Sequence, residues 1–278
     1  MKRYRTVLTI AGSDSGGGAG IQADIKAISA TGCYAASAIT AVTVQNTIGV
    51  SAVHNIPEEI IKGQINAVLS DIGADAVKIG MLGTSGLARA VKEALLQYDI
   101  ENIVLDPVMV ATSGDRLTAE DAVEVMATEL APIARVLTPN IPEAEILAGK
   151  RINGQEDLAD IARLLSSRIS SCGSRKVSVL MKAGHLDNDE VVDYFYNAEE
   201  DHILELHSPR LVTSNTHGTG CTLSSALASY LAQGFSLDEA VTRAKEYIYL
   251  AIRSGADFRT GHGHGPVDHF FKLRGASI

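Results

Sequence analysis

The stretch VKIGMLGTSGLARAVKEALLQYDIENIVLD, residues 77–106, contains one full structural period of the chain. A short run rich in β-branched residues at 77–79 ends in glycine. Leu87, Val91, Leu95 and Leu96 then keep one face apolar at helical spacing, and a second apolar run at 103–105 ends in Asp106. A strand, a helix and another strand in that order predict two parallel strands with a crossover helix laid on them.

The same alternation extends both ways. Further strand candidates lie at residues 7–11, 39–44, 136–138 and 177–181, and Ile161, Leu164, Leu165 and Ile169 mark another helical face before the last of these. From 191 to 206 the pattern changes to two strand-like runs around a polar EED turn, which predicts an antiparallel edge hairpin. A helix of small residues follows over roughly 222–232. Ser236, with Glu239 three residues on, opens another in the pattern of a capping box. No repeat, low-complexity tract or linker interrupts this order. The expected fold is therefore α/β, a single domain over residues 1–278 with a mostly parallel central sheet covered on both faces.

Composition narrows the class. The formal net charge of -9 provides no long-range field for nucleic acid or an anionic membrane, and 46% hydrophobic content suffices for a large core. The apolar run at 7–11 is too short for a signal peptide, and no run approaches the ~20 apolar residues of a membrane span. Cys33, Cys172 and Cys221 are scattered without metal-ligand spacing. A soluble cytoplasmic protein is expected.

In an open parallel sheet, ligands gather beyond the carboxyl ends of the strands. Polar and glycine clusters fall there repeatedly: 12–20, Gln45 with Asn46, Gly80 with Met81, Asp106, 140–143 and 182–185. NTHGTGCT, residues 215–222, opens the small-residue helix, so the amides of Gly218, Thr219, Gly220 and Cys221 are placed to converge on an anion. A tight strand-to-helix turn is the plainer alternative. Cys221 in the first turn would have its thiol pKa lowered by the helix dipole, fitting it for a base or nucleophile; a small buried hydrophobe is the other reading.

Asp106, Asn140 and Glu143 offer oxygen ligands of the kind Mg²⁺ takes, commonly through retained waters, although Asn140 and Glu143 have the spacing of a helix cap as well. Lys182 ends a buried strand, where its charge calls for an anionic partner such as a nucleotide phosphate, unless it snorkels at the rim. Gly18, Gly20 and Ala23 give a weak dinucleotide fingerprint. The acidic residue such a site needs about twenty positions on is missing, and there is no Walker A pattern. Asp24 faces either the cleft or solvent. His262, His264 and His269, interleaved with glycine, read as a packed terminal turn rather than a metal site.

Taken together, AGSDSGGGAGIQAD, TAVTVQNT, VKIGMLG, LDPVM, TPNIPEAE, LMKAGH, NTHGTGCTLSSA and GHGHGPVDHF resemble the hydroxymethylpyrimidine/phosphomethylpyrimidine kinase family of thiamine biosynthesis, within the ribokinase-like superfamily. The resemblance covers nearly the whole chain. It implies a three-layer α/β/α sandwich that phosphorylates 4-amino-5-hydroxymethyl-2-methylpyrimidine to the monophosphate and then to the diphosphate, using ATP and Mg²⁺, as a homodimer. By position it implies that Gln45, Gly12, Asp24, Val44, Met81 and Val108 surround the pyrimidine. Asp106 and Glu143 would serve the metal. Lys182, Asn140, Thr216, Gly218 and Gly220 would serve the nucleotide phosphates, and Gly218, Thr219, Gly220, Cys221 and Lys182 the transfer itself. In the wider superfamily an aspartate base stands where this chain has Cys221. Pyridoxal or pyridoxine kinase is the nearest alternative, and a non-catalytic nucleotide-binding regulatory module is the alternative of another class.

Overall fold

The computed structural model of the protein describes residues 2–109, 118–184, 186 and 189–274. Its strands are β1 (Thr6–Asp14), β2 (Tyr34–Gln45), β3 (Val50–Asn55), β4 (Ala76–Ile79), β5 (Ile103–Leu105), β6 (Val136–Leu137), β7 (Ser178–Met181), β8 (Glu190–Asn197) and β9 (His202–Pro209). They form one sheet in the order β3-β2-β1-β4-β5-β6-β7-β8-β9. From β2 to β7 neighbours are parallel. Both edges are antiparallel: β8 and β9 form the expected hairpin, and β3 pairs antiparallel with β2 at the other edge.

Helices α1 (Gly20–Ala30), α2 (Glu58–Asp71), α3 (Ser85–Leu95), α4 (Glu120–Val125), α5 (Ile141–Ala148), α6 (Leu158–Ser170), α7 (Thr219–Ala232) and α8 (Leu237–Gly255) cover the two faces. The period-2 alternation of strand side chains sorts the core into two layers. Leu8, Ile10, Val77 and Ile79 pack with Ile65, Leu87, Val91 and Leu165 from α2, α3 and α6. Val7, Ala76, Val104 and Leu180 pack with Ile28, Leu227 and Val241 from α1, α7 and α8. The result is the three-layer α/β/α arrangement. Among the described residues, no helix is long and apolar enough to cross a membrane.

Strand β1 lies between β2 and β4, so the chain winds first to one side of it and then to the other. Such a switch point leaves a crevice beyond the strand ends, because the connections on either side diverge. The loops of β1, β4, β5 and β7 converge there. The capping box opening α8 forms as expected, with Ser236 and Glu239 bonding each other's backbone amides.

Candidate active site

A cavity of about 650 Å³ occupies this crevice. It brings together Gly12, Gln45, Met81, Asp106, Val108, Asn140, Glu143 and Lys182 with Thr216 and the entire helix entrance from Gly218 to Cys221. Two of the expected substrate residues are absent from its wall. Val44 points outward from β2, 60% exposed, because it is one position out of phase with Thr43 and Gln45 along the strand. Asp24 is fully buried beneath the cavity. His185 lies outside the described residues.

The entrance to α7 depends on Gly218, the N-cap, whose φ of 78° is in the left-handed region. A side chain there would also run into the carbonyl of Gly18. Of the first-turn amides, Thr219 donates to Thr216 O at 3.3 Å. Gly220 and Cys221 have no intrahelical acceptor available so early in a helix, and their amides could serve an anion. Gly220 lies close to both charged groups: an added Cβ would sit 3.2 Å from Lys182 Nζ, which would have to give way, and 3.6 Å from Asp106 Oδ2. Backbone, ammonium and carboxylate therefore meet at one point.

Asp106 is the hub. Its Oδ1 accepts from Lys182 Nζ at 2.8 Å and Thr138 Oγ1 at 3.0 Å, and its Oδ2 from Ser224 Oγ at 3.3 Å. Burial works to raise its pKa, but the charges of Lys182 and Lys78 and these hydrogen bonds prevail and hold it low. Lys182 reaches Glu143 at 3.9 Å. Burial disfavours the lysine charge, yet Asp106 and Glu143 outweigh it and its pKa rises. Glu143 is pushed up to about 7 by burial, with Asp106 adding to the rise and Lys182 opposing it.

Asn140 and Glu143 form the full capping box of α5: Glu143 N donates to Asn140 Oδ1 at 2.9 Å, and Asn140 N to Glu143 Oε2 at 2.8 Å. The capping and cavity readings of this pair hold together, because the cap is what aims the carboxylate at Lys182. The hard oxygen donors suit Mg²⁺. Asp106 is only 1% exposed with both oxygens engaged, so these residues fit a metal that keeps its waters between itself and the protein.

Cys221 reverses one expectation. Its thiol is half-buried at the cavity, and burial pushes it up to about 11 despite the nearby positive charge of Lys78. Desolvation disfavours thiolate more than the helix terminus favours it.

Three polar pairs were not legible in the sequence. Lys78, fully buried in the middle of β4, is held by Asp24 at 2.9 Å, and Asp24 also accepts from Thr9 at 2.6 Å and Ser225 at 2.7 Å. Lys245 on α8 bonds Asp193 at 2.7 Å, and Asp193 accepts the Ala183 amide next to Lys182 at 2.7 Å. Asp14 accepts from His217 Nε2 at 2.8 Å.

The first glycine loop is explained by the last pair. Asp14 takes the amides of Gly16, Gly18 and Ala19 at 2.7, 3.0 and 2.8 Å, so a carboxylate of the chain already fills the nest a phosphate would need. The dinucleotide reading fails for that reason. The carboxyl-terminal glycines close over Thr47, whose carbonyl accepts the His264 amide at 2.9 Å, and His269 bonds Thr222 at 2.9 Å. That is the packed turn expected there. Ser208, Pro209, Arg210 and Leu211 line the cavity with Ile248, Tyr249 and Ile252, an apolar-walled end suited to a nucleobase.

A layered α/β/α chain with a glycine-rich helix entrance, an Asp–Lys pair at its mouth and a pocket at the switch point is a ribokinase-like small-molecule kinase, a phosphotransferase. The family model described as phosphomethylpyrimidine kinase matches residues 14–268, and the chain belongs to that family. It is 48% identical to the hydroxymethylpyrimidine/phosphomethylpyrimidine kinase of Rhizobium meliloti, over 95% of this chain and 97% of that protein. It is 47% identical to the thiamine biosynthesis bifunctional protein ThiED of Geobacter sulfurreducens, of which it spans about half, 52%. Among solved structures, phosphomethylpyrimidine kinase from Clostridium difficile 630 superposes with a TM-score of 0.75 at 43% identity, over 89% of this chain and 99% of that one. Pyridoxal kinase from Staphylococcus aureus in complex with AMP-PCP and pyridoxal gives 0.85 at 34% identity, over 98% and 96%.

Proposed function

We propose that the chain phosphorylates 4-amino-5-hydroxymethyl-2-methylpyrimidine to its monophosphate and then to its diphosphate with ATP, in thiamine biosynthesis. The observation that carries this reading is the meeting of Gln45 and Met81 with the α7 entrance, Asp106 and Lys182 in one cavity. A carboxamide both donates and accepts, which matches an aminopyrimidine edge, and a thioether packs on the ring. Lys182 and the Gly220 and Cys221 amides neutralise the charge of the transferring phosphoryl group, and Asp106 holds Lys182 in place. Asp106 and Glu143 would hold Mg²⁺ through water, and the ion would supply further charge neutralisation to the phosphates. A cytoplasmic homodimer completes the reading; Val42 and Val44, exposed on one face of β2, support the dimer.

Identity favours the pyrimidine over pyridoxal, 43% against 34% for the two solved relatives, although the pyridoxal kinase superposes better. The stoichiometry of ADP release separates the two. Two ADP per pyrimidine alcohol consumed is expected; one ADP, with pyridoxal turned over at higher kcat/KM, would transfer the assignment to pyridoxal.

The acceptor in the second step is a phosphate already ionised at neutral pH, whereas the alcohol must lose a proton. We assign that proton to Cys221. Burial pushes its thiol up to about 11, so the first step draws on a thiolate that is scarce at neutral pH. Cys221→Ala is expected to slow the first step about 10²-fold, the low end for lost proton transfer, and the second by less than about threefold. Equal losses in both steps, measured separately on alcohol and monophosphate, would leave Cys221 only its backbone amide.

A further inference from the structure

We propose that His217, through its bond to Asp14, is a positioning residue that fixes the spacing between the acceptor pocket and the phosphoryl-binding entrance of α7. The inference rests on the pyrimidine-kinase reading of those two half-sites. Each half is built on a different loop, 203 residues apart in sequence at this contact, and a side-chain bond joins them.

On the acceptor side, Gln45 is tied to the first loop in both directions: Ser15 Oγ donates to Gln45 O at 2.7 Å and accepts from Gln45 N at 2.9 Å. That loop is organised around the Asp14 carboxylate, which gathers the amides of Gly16, Gly18 and Ala19. On the phosphoryl side, His217 immediately precedes Gly218, the N-cap of α7. Its own amide donates to Gly265 O at 3.0 Å, which anchors it from behind.

The ring crosses between the two. Asp14 Oδ2 already accepts two amides, so it is an acceptor toward the ring, and Nε2 carries the hydrogen. Asp14 is 2% exposed and His217 7%, so the bond is shielded from water. Burial raises the Asp14 pKa, but the His217 hydrogen bond and the loop amides outweigh it and keep the carboxylate charged. The ring lies against Gly18, where any side chain would collide with it, and Gly218 lies against the Gly18 carbonyl. The two loops therefore touch at backbone level, and the His217–Asp14 bond sets their register.

Phosphoryl transfer is sensitive to such register, since a misplacement of about 1 Å can cost 10²-fold in rate without weakening binding of either substrate. The test is a split of kcat from KM in three variants on the pyrimidine alcohol and ATP. His217→Leu is expected to lower kcat by about 30-fold or more while both KM values stay within about threefold. His217→Gln, whose amide N–H can stand near the Nε2 position, is expected to recover most of that loss. His217→Asn keeps the polarity but is too short to reach Asp14, and it replaces the leucine variant if that one does not fold.

A kcat within threefold of wild type in the leucine or asparagine variant would overturn the proposal. So would a glutamine variant as poor as asparagine, or a loss that appears in KM alone. A wild type that phosphorylates no pyrimidine removes the underlying reading and the proposal with it, whereas a wild type that turns over beside equally active variants removes the proposal only.

Discussion

Asp106→Asn is expected to lower kcat by about 10²- to 10³-fold in both phosphorylation steps, the scale of losing one preorganised charged group at a transfer site. Asparagine keeps the shape and an acceptor oxygen for Thr138, while the amide nitrogen that replaces Oδ2 can only donate to Ser224 Oγ. It removes the charge that holds Lys182 at 2.8 Å and leaves the ammonium with Glu143 at 3.9 Å. Both steps suffer because both transfer a phosphoryl group past the same lysine. Steady-state kinetics on the alcohol and on the monophosphate would show it, with circular dichroism confirming the fold. A kcat within threefold of wild type would mean that Asp106 is a structural partner of Lys182 with no part in transfer.

Lys78→Met is expected to cost about 3–5 kcal/mol of folding stability, because it leaves the buried Asp24 carboxylate without its counter-charge. Both side chains are wholly buried, and the remaining partners of Asp24 are the neutral hydroxyls of Thr9 and Ser225. Replacing both charges, as Lys78→Met with Asp24→Leu, should recover much of the loss, since two apolar groups leave no orphaned charge. Urea unfolding of the wild type, the single and the double variant measures this. An unchanged midpoint in the single variant would show that Asp24 finds another partner or takes up a proton without cost.

This pair explains why part of the site was hidden in the sequence. Lys78 sits in a strand whose neighbours Val77 and Ile79 face one core layer while it faces the other, so its period was readable but its partner was not. Asp24 was read as facing cleft or solvent because nothing local marks a carboxylate 54 residues from its lysine. The His217–Asp14 and Lys245–Asp193 pairs were invisible for the same reason: tertiary folding creates them, and no spacing along the chain encodes them.

What was legible is what local chemistry decides. The parallel strands followed from short apolar runs that are buried on both faces, and the glycine entrance of α7 followed from a few consecutive residues. Strand β3 was missed because VSAVHN is almost wholly exposed at a sheet edge, where burial imposes no alternation. Strand β2 proved longer than residues 39–44, since its alanine-rich start carries little β-propensity. Cys221 was placed correctly at the helix entrance, but its protonation was misjudged. The dipole argument is local, whereas the desolvation that opposes it comes from the whole packed site.

Two successive phosphorylations of one aminopyrimidine would be seen by mass spectrometry of the products formed from 4-amino-5-hydroxymethyl-2-methylpyrimidine, ATP and Mg²⁺ over time. The expected result is a monophosphate that rises first and then gives way to the diphosphate. A mixture that never passes the monophosphate, or that leaves the alcohol untouched, would contradict it.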